Sequence, residues 1–239
     1  ACPERKRPER GVQLVYRKAT IEPVRATVDR RLARLKLKAH LQEDDKLLTV
    51  RVAEGADTSR IKALLATRAV LDFCPEDEPV AAAWCKPWDG VDVLRGDRTC
   101  ALKGRSHADV VTALGDAGVP VSWTEDGLEA YALRESRCLA PRVVSAEPRE
   151  GEMLLEFDRA SAADFGKLTT EARGLRLIIR YDGAVRVAPI VRDAITGGRA
   201  TITVSDASQD LEVLAAMLVG GPLPTLTLEK EAPYGPPSL

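Results

Sequence analysis

Between Glu156 and Leu228 the chain never runs far before a turn residue stops it, and that punctuation limits the folds open to it. Short apolar stretches such as Leu177-Ile178-Ile179 and Ala200-Thr201-Ile202-Thr203 alternate with Asp182-Gly183, Gly197-Gly198 and Gly220-Gly221-Pro222. Strands of this length must pair with distant partners to bury their apolar faces. The alternation predicts strands over 153–157, 175–181, 184–187, 200–204 and 226–229. Helical spacing of Ala163, Phe165, Leu168 and Ala172 predicts a helix over 160–172, and Leu211, Leu214, Ala215 and Leu218 predict another, stopped by Gly220-Gly221-Pro222. Asp182-Gly183 is a favoured hairpin pair, and 190–195 reads as a short helical turn.

The N-terminal block has the same grain. Val12, Leu14 and Tyr16 alternate with polar neighbours as in a strand. Thr20 is placed to cap a helix with Glu22 and Pro23 in its first turn, carrying Ile21, Val24, Val28, Leu32 and Leu35 inward. A hairpin over 38–43 and 47–52, a helix opened by Asp57-Thr58-Ser59 and a strand over 69–73 follow. The order β-α-β-β-α-β is that of a ferredoxin-like unit, so the fold class is α+β, with helices on one face of an antiparallel sheet. Residues 1–38 hold twelve Lys or Arg against four Asp or Glu. A basic arm of this kind can contact nucleic acid or anionic headgroups, but Arg25, Arg30, Arg31 and Arg34 read as the wet side of the first helix. Residues 1–10 read as a flexible tether, and 233–239, rich in proline, as a tail.

From Cys74 the character changes. Pro75, Pro79, Pro87, Gly90, Gly96 and Gly104 interrupt every periodic run, and Trp84, Trp88 and Trp123 all fall here. A helix from His107 to Ala117 and a hairpin of 119–123 with 128–133 are the regular pieces. Four of the five cysteines, Cys74, Cys85, Cys100 and Cys138, lie in this stretch while both flanks have none apart from Cys2. An even, clustered set points to two disulfides in an oxidising compartment; a zinc site lacks CxxC spacing, and buried free thiols are the other reading. The stretch 74–140 reads as an inserted subdomain too small for a large core without such cross-links.

Chemistry is hard to find. Only 4% of residues are aromatic, which argues against a stacking platform for sugars or single-stranded nucleic acid. No apolar run reaches the ~20 residues of a membrane span. His40 and His107 are the only histidines, and Ser106-His107-Ala108-Asp109 is too local to be a triad. Gly197-Gly198-Arg199 lacks the residues of a phosphate loop, and Asp158, Asp164 and Asp182 are explained by turns and helix starts. The expectation is a non-enzymatic protein with no metal, no cofactor and no nucleic-acid partner.

Phe157-Asp158, Phe165, Leu168-Thr169, Asp182-Gly183, Ala188-Pro189-Ile190, Ile195 with Gly198, Ala200 and Ile202, and Gly221-Pro222-Leu223-Pro224 occur in an order that resembles the large periplasmic region of SecD, an accessory subunit of the Sec translocon. Ile21 to Arg34, Ala63-Leu64-Leu65 and Ala69 to Phe73 are similar to its N-terminal runs. The chain departs from the pattern at Val52 to Ala56 and at Thr203-Val204, and the membrane helices with the family's proton-coupling carboxylates are not in it.

The resemblance implies a discontinuous base, 11–73 with 141–232, carrying 74–140 as a head, and a role in protein export or the handling of translocated polypeptides. Its implied partners are unfolded or translocating chains and the Sec translocon or other envelope proteins. Trp84, Trp88 and Trp123 are the candidate polypeptide anchors, Pro75 and Pro141 the candidate hinges, and Cys74–Cys138 and Cys85–Cys100 the expected disulfides. The start Ala1-Cys2 reads as a lipoprotein cleavage site with Cys2 as the lipidated residue, so the expected location is periplasmic and membrane-attached, by that tether or as a piece of an inner-membrane protein. The alternative function is an envelope lipoprotein adaptor that binds one fixed protein partner.

Overall fold

Leu14, Tyr16, Leu48, Val50 and Val52 alternate with more exposed neighbours and are all but sealed from solvent. They come from the two central strands of the first sheet in a computed structural model that describes residues 10–115, 120–204 and 210–235. Cys2, and residues of the expected tether and tail and of 116–119 and 205–209, lie outside the described residues. The chain forms two compact units. The first comprises the described residues of 1–69, 146–148 and 206–239, and the second those of 70–145 and 149–205.

Unit 1 contains β1 (Gly11–Lys18), α1 (Arg25–Arg34), β2 (His40–Glu43), β3 (Leu47–Ala53) and α2 (Thr58–Ala66). The last helix and strand of the chain complete it, labelled below α6 (Leu211–Gly220) and β14 (Leu226–Tyr234). Its antiparallel sheet runs β14-β1-β3-β2. That is the ferredoxin-like order, but the fourth strand comes from the far end of the chain rather than from 69–73. β14 also runs past its expected end, through Pro233 and Tyr234, which pair with Val12 and Gly11. A proline is tolerated there because β14 is an outer strand with one side of its backbone unpaired.

Helix α1 departs from expectation at both faces. It starts at Arg25, and Ile21 stands 78% exposed in the preceding loop. Thr20 does not cap it. The Glu43 carboxylate instead accepts the N–H groups of Val24 and Arg25, at 2.9 and 3.0 Å, and the ammonium of Lys18 at 2.7 Å. Arg31, read as part of a wet face, is 0% exposed. Its guanidinium donates to the carbonyls of Leu64 at 2.6 Å, Arg68 at 2.9 Å and Gly221 at 2.8 Å. These acceptors sit at the C-terminal ends of α2 and α6, where unpaired carbonyls and the helix dipole favour a cation.

Unit 2 begins with β4 (Leu71–Pro75), α3 (Glu78–Ala83), β5 (Val91–Arg95), β6 (Cys100–Gly104), α4 (His107–Leu114), β7 (Val121–Trp123), β8 (Glu129–Ala132) and a 3₁₀ turn at Glu135–Arg137. It continues with β9 (Val143–Arg149), of which 146–148 group with unit 1, then β10 (Glu152–Phe157), α5 (Arg159–Glu171), β11 (Leu177–Tyr181), β12 (Ala184–Val187) and β13 (Arg199–Thr203). The sheets run β5-β6-β8-β7, β12-β11-β4 and β13-β10-β9. Strand β4 pairs with β11 from Leu71↔Tyr181 to Pro75↔Leu177, which is why it is not available to the first sheet. The expected helical turn at 190–195 is absent: Ile190 bridges Arg176, and the Val191 N–H bonds to Leu175.

The three phenylalanines of the chain meet in unit 2. Phe73, Phe157 and Phe165 stack edge-to-face with ring centroids 4.9 to 5.8 Å apart. Such pairs add to the stabilisation from burial alone. A separate cluster of Ala81, Trp84, Val91, Leu102, Val110 and Ala132 fills the four-stranded sheet, so the stretch read as an insert does have its own core. The contact units do not follow the base-and-insert division, because β4–β11 pairing joins 70–75 to 177–181.

Candidate polypeptide-binding surface

The three tryptophans do not form one exposed platform. Trp84 is 4% exposed and belongs to the core beneath β6 and β8. Trp88 and Trp123 are half-buried at its margin, and the Trp88 indole N–H donates to the Trp84 carbonyl at 2.9 Å. The Lys86 ammonium lies 4.8 Å from the Trp88 ring, and the His107 ring 4.2 Å from that of Trp123. Only the latter two tryptophans present surface to a partner.

Cys74 is disulfide-bonded to Cys138, and Cys85 to Cys100. Beside the first bond Arg180 donates to both oxygens of Asp72, at 2.9 and 2.8 Å, and to both of Glu135, at 3.0 Å each. This fork ties β11, β4 and the 3₁₀ turn together. Pro75 lies inside β4, and Pro141 precedes β9 within unit 2. The chain passes between the units at 69–70, 145–146, 148–149 and 205–206, so neither candidate hinge is at a crossing.

A second buried group closes the other end of β4. Glu76 is 1% exposed and accepts the Arg176 amide at 3.1 Å and the Thr99 hydroxyl. Burial pushes its carboxyl up, against the pull of Thr99 and Arg176. It joins the chain just past β4 to the residues that lead into β6 and β11.

The acidic and hydroxyl candidates for chemistry carry structural tasks. Ser106 and Asp109 form a reciprocal cap on α4, with Ser106 N–H to Asp109 at 2.9 Å, which leaves His107 exposed at the first turn. Asp158 caps α5 through the Ser161 amide at 2.8 Å. Asp164 pairs with Lys167 at 3.1 Å, and Asp182 accepts the Val70 amide at 2.8 Å. His40 is half-buried in β2. Among the described residues no group of three or more His, Cys, Asp and Glu could hold a metal ion, and no helix is long and apolar enough to cross a membrane.

What the sequence did not single out is the free edge of β13. Among the described residues this strand is the outermost of its sheet and pairs with β10 alone, from Glu152↔Thr203 to Glu156↔Arg199. Arg199, Thr201 and Thr203 are exposed, whereas Ile202 between them is buried at 8%. The signal was present as an alternating Arg-Ala-Thr-Ile-Thr run, but nothing local says which side of a strand is left open.

Comparison with known proteins places this architecture. The family model described as SecDF, P1 head subdomain, matches residues 142–225. That match falls on the segment expected to form the second half of the base. SecD of Magnetococcus marinus is 27% identical over 204 residues, covering 82% of this chain and 35% of that protein. The chain spans 35%, 42% and 34% of three such SecD relatives. The crystal structure of SecDF in its Super-membrane-facing form matches 98% of this chain and 32% of that one, with a TM-score of 0.64 and 20% identity. A structure from work on SecDF as a membrane component that enhances protein export covers 91% of this chain and 98% of its own, with a TM-score of 0.61 and 22% identity. The chain is thus similar to SecD and SecDF translocase subunits over most of its length, shares the fold of the SecDF structures, and matches their P1 head subdomain model over 142–225.

Proposed function

We propose that this chain is a non-enzymatic, periplasmic, export-assisting region that handles polypeptide as it leaves the translocon. The observation that supports this most is the P1 head match over 142–225, set within SecD similarity that covers 82% of the chain. Trp88 and Trp123 supply apolar surface at the margin of a rigid core, and β13 supplies main-chain donors and acceptors. Both select for unfolded chain, since a folded protein has already buried its apolar side chains and paired its backbone.

The test is binding of the purified chain to one polypeptide in two states, a reduced and alkylated unfolded form and the native form, by fluorescence anisotropy. Saturable binding to the unfolded form alone is expected. Equal binding to both forms, or none to either, would refute the proposal. Co-purification of one folded partner, with a diacylglyceryl mass on Cys2, would put the adaptor reading in its place.

A further inference from the structure

We propose that β13 is a strand-acceptor edge that takes up an extended segment of polypeptide by main-chain pairing along Arg199, Thr201 and Thr203. The inference rests on the polypeptide-handling function proposed above and names the site that would serve it.

The phase of the β10–β13 ladder decides which backbone groups are free. The Phe157 N–H bonds to the Gly198 carbonyl and the Val204 N–H to that of Gly151, each at 2.9 Å. In an antiparallel pair, bonded and outward-facing residues alternate. Gly198, Ala200, Ile202 and Val204 therefore turn their backbone groups inward to β10. Arg199, Thr201 and Thr203 turn theirs outward, and these are the residues that the structure leaves exposed.

The outer strands β14, β9, β5, β4 and β12 are occupied or guarded. β14 carries Glu229, Lys230, Glu231 and Pro233. β9 ends in Glu147-Pro148-Arg149. β5 holds Asp92 and Arg95, and its Leu94 carbonyl accepts the Arg176 guanidinium at 2.8 Å. β4 is covered by Leu139, which exchanges two backbone bonds with Phe73 at 2.8 and 2.9 Å, and β12 is bridged to Thr124 through Val185. Charges, prolines and covering segments are how soluble proteins blunt open edges. After Arg199, whose guanidinium is held toward Glu156 at 3.5 Å, β13 offers Ala-Thr-Ile-Thr with none of these devices. It is short, and three of its five residues are β-branched. The occupant it fits is an extended backbone of about the same length, alternating small apolar and polar side chains, because a ladder reads main chain before sequence.

Hydrogen exchange on the full chain, read at single amides, tests this with a short synthetic peptide of alternating valine and threonine. Its alternately N-methylated form is the control. On binding, the amides of Arg199, Thr201 and Thr203 should slow about tenfold or more, those of Ala200 and Ile202 should not change, and the methylated peptide should have no effect. Thr201→Pro removes an outward donor while sparing the β10 ladder, and should weaken binding roughly fivefold to tenfold. Thr201→Lys, a surface change, should act in the same direction if the proline variant folds poorly. Peptide binding with these three amides unchanged would overturn the assignment of the site and leave the proposed function standing. No binding of either this peptide or the unfolded polypeptide would overturn both. Protection that grows with protein concentration in the absence of peptide would give the edge to a second copy of the chain and overturn the inference.

Discussion

The Arg31 guanidinium holds the Gly221 carbonyl from two sides, Nε at 3.1 Å and Nη2 at 2.8 Å, and so joins the first helix of the chain to the end of the last. The same group donates to Leu64, Thr67 and Arg68 at the end of α2. One planar fork thus satisfies carbonyls that two helix ends would otherwise bury unpaired. Arg31→Met should cost about 3 kcal/mol or more, since each hydrogen bond to a buried charged group is worth ~1.5–3 kcal/mol. Arg31→Lys, a single point donor, should recover only part of this. Urea unfolding followed by circular dichroism measures both; a Met variant as stable as the parent would mean that the fork is incidental.

Gly220 is what lets the two helices come that close. A Cβ at Gly220 would lie 2.4 Å from Arg31 Cγ and 3.2 Å from its backbone nitrogen. Gly220→Ala should destabilise by about 1–3 kcal/mol, the usual cost of overpacking. Gly197 meets nothing within 4 Å and has no left-handed φ, so Gly197→Ala should fall within about 0.5 kcal/mol of the parent. A thermal melt of the two variants side by side checks the contrast.

Acid should undo the Glu43 node. Burial alone would raise the Glu43 carboxyl, but the Lys18 ammonium and the amides of Val24 and Arg25 outweigh it and hold it below the usual glutamate range. A carboxylate depressed in the folded state adds stability that is full above its unfolded value and is lost as pH falls through the folded one. Glu43→Gln leaves the Lys18 side chain, 2% exposed, without its charge partner and should cost about 3 kcal/mol at neutral pH. The gap between parent and variant should close steadily as pH drops below the ordinary glutamate value. Urea midpoints across that range give the answer, and a gap independent of pH would assign the loss to packing.

Local periodicity made most helices and strands legible, because Phe165 with Leu168 and Leu211 with Leu214 state their faces within one or two turns. Pairing was less legible. The runs at 71–75 and 226–234 are both plausible fourth strands for the first sheet, and only the long-range match of β4 to β11 decides between them. Arg31 was misread for a related reason: a basic residue on a helix is usually solvated, and the clue that this one is buried lies 189 residues away, at Gly220. β5 and β6 were missed because Gly90, Gly96 and Gly104 looked like breaks when they are the ends of two adjacent strands. The candidate anchors were recognisable as a cluster, but burial of Trp84 depends on packing that no single stretch reveals.

Reduction should separate the two units. Both disulfides lie in unit 2, closing sequence separations of 64 residues for Cys74–Cys138 and 15 for Cys85–Cys100. Loop-closure entropy makes the longer cross-link worth about 1 kcal/mol more than the shorter, with ~3 kcal/mol expected for a 15-residue loop. All three tryptophans are also in unit 2, so their fluorescence reports on that unit alone, while circular dichroism reports on both. In urea with a thiol reductant, the fluorescence transition should move to lower denaturant and precede the final loss of helical signal from α1, α2 and α6. The paired variant Cys74→Ala/Cys138→Ala should shift it further than Cys85→Ala/Cys100→Ala. Coincident transitions under reducing conditions would show that the two units unfold as one and that the cross-links stabilise the whole chain.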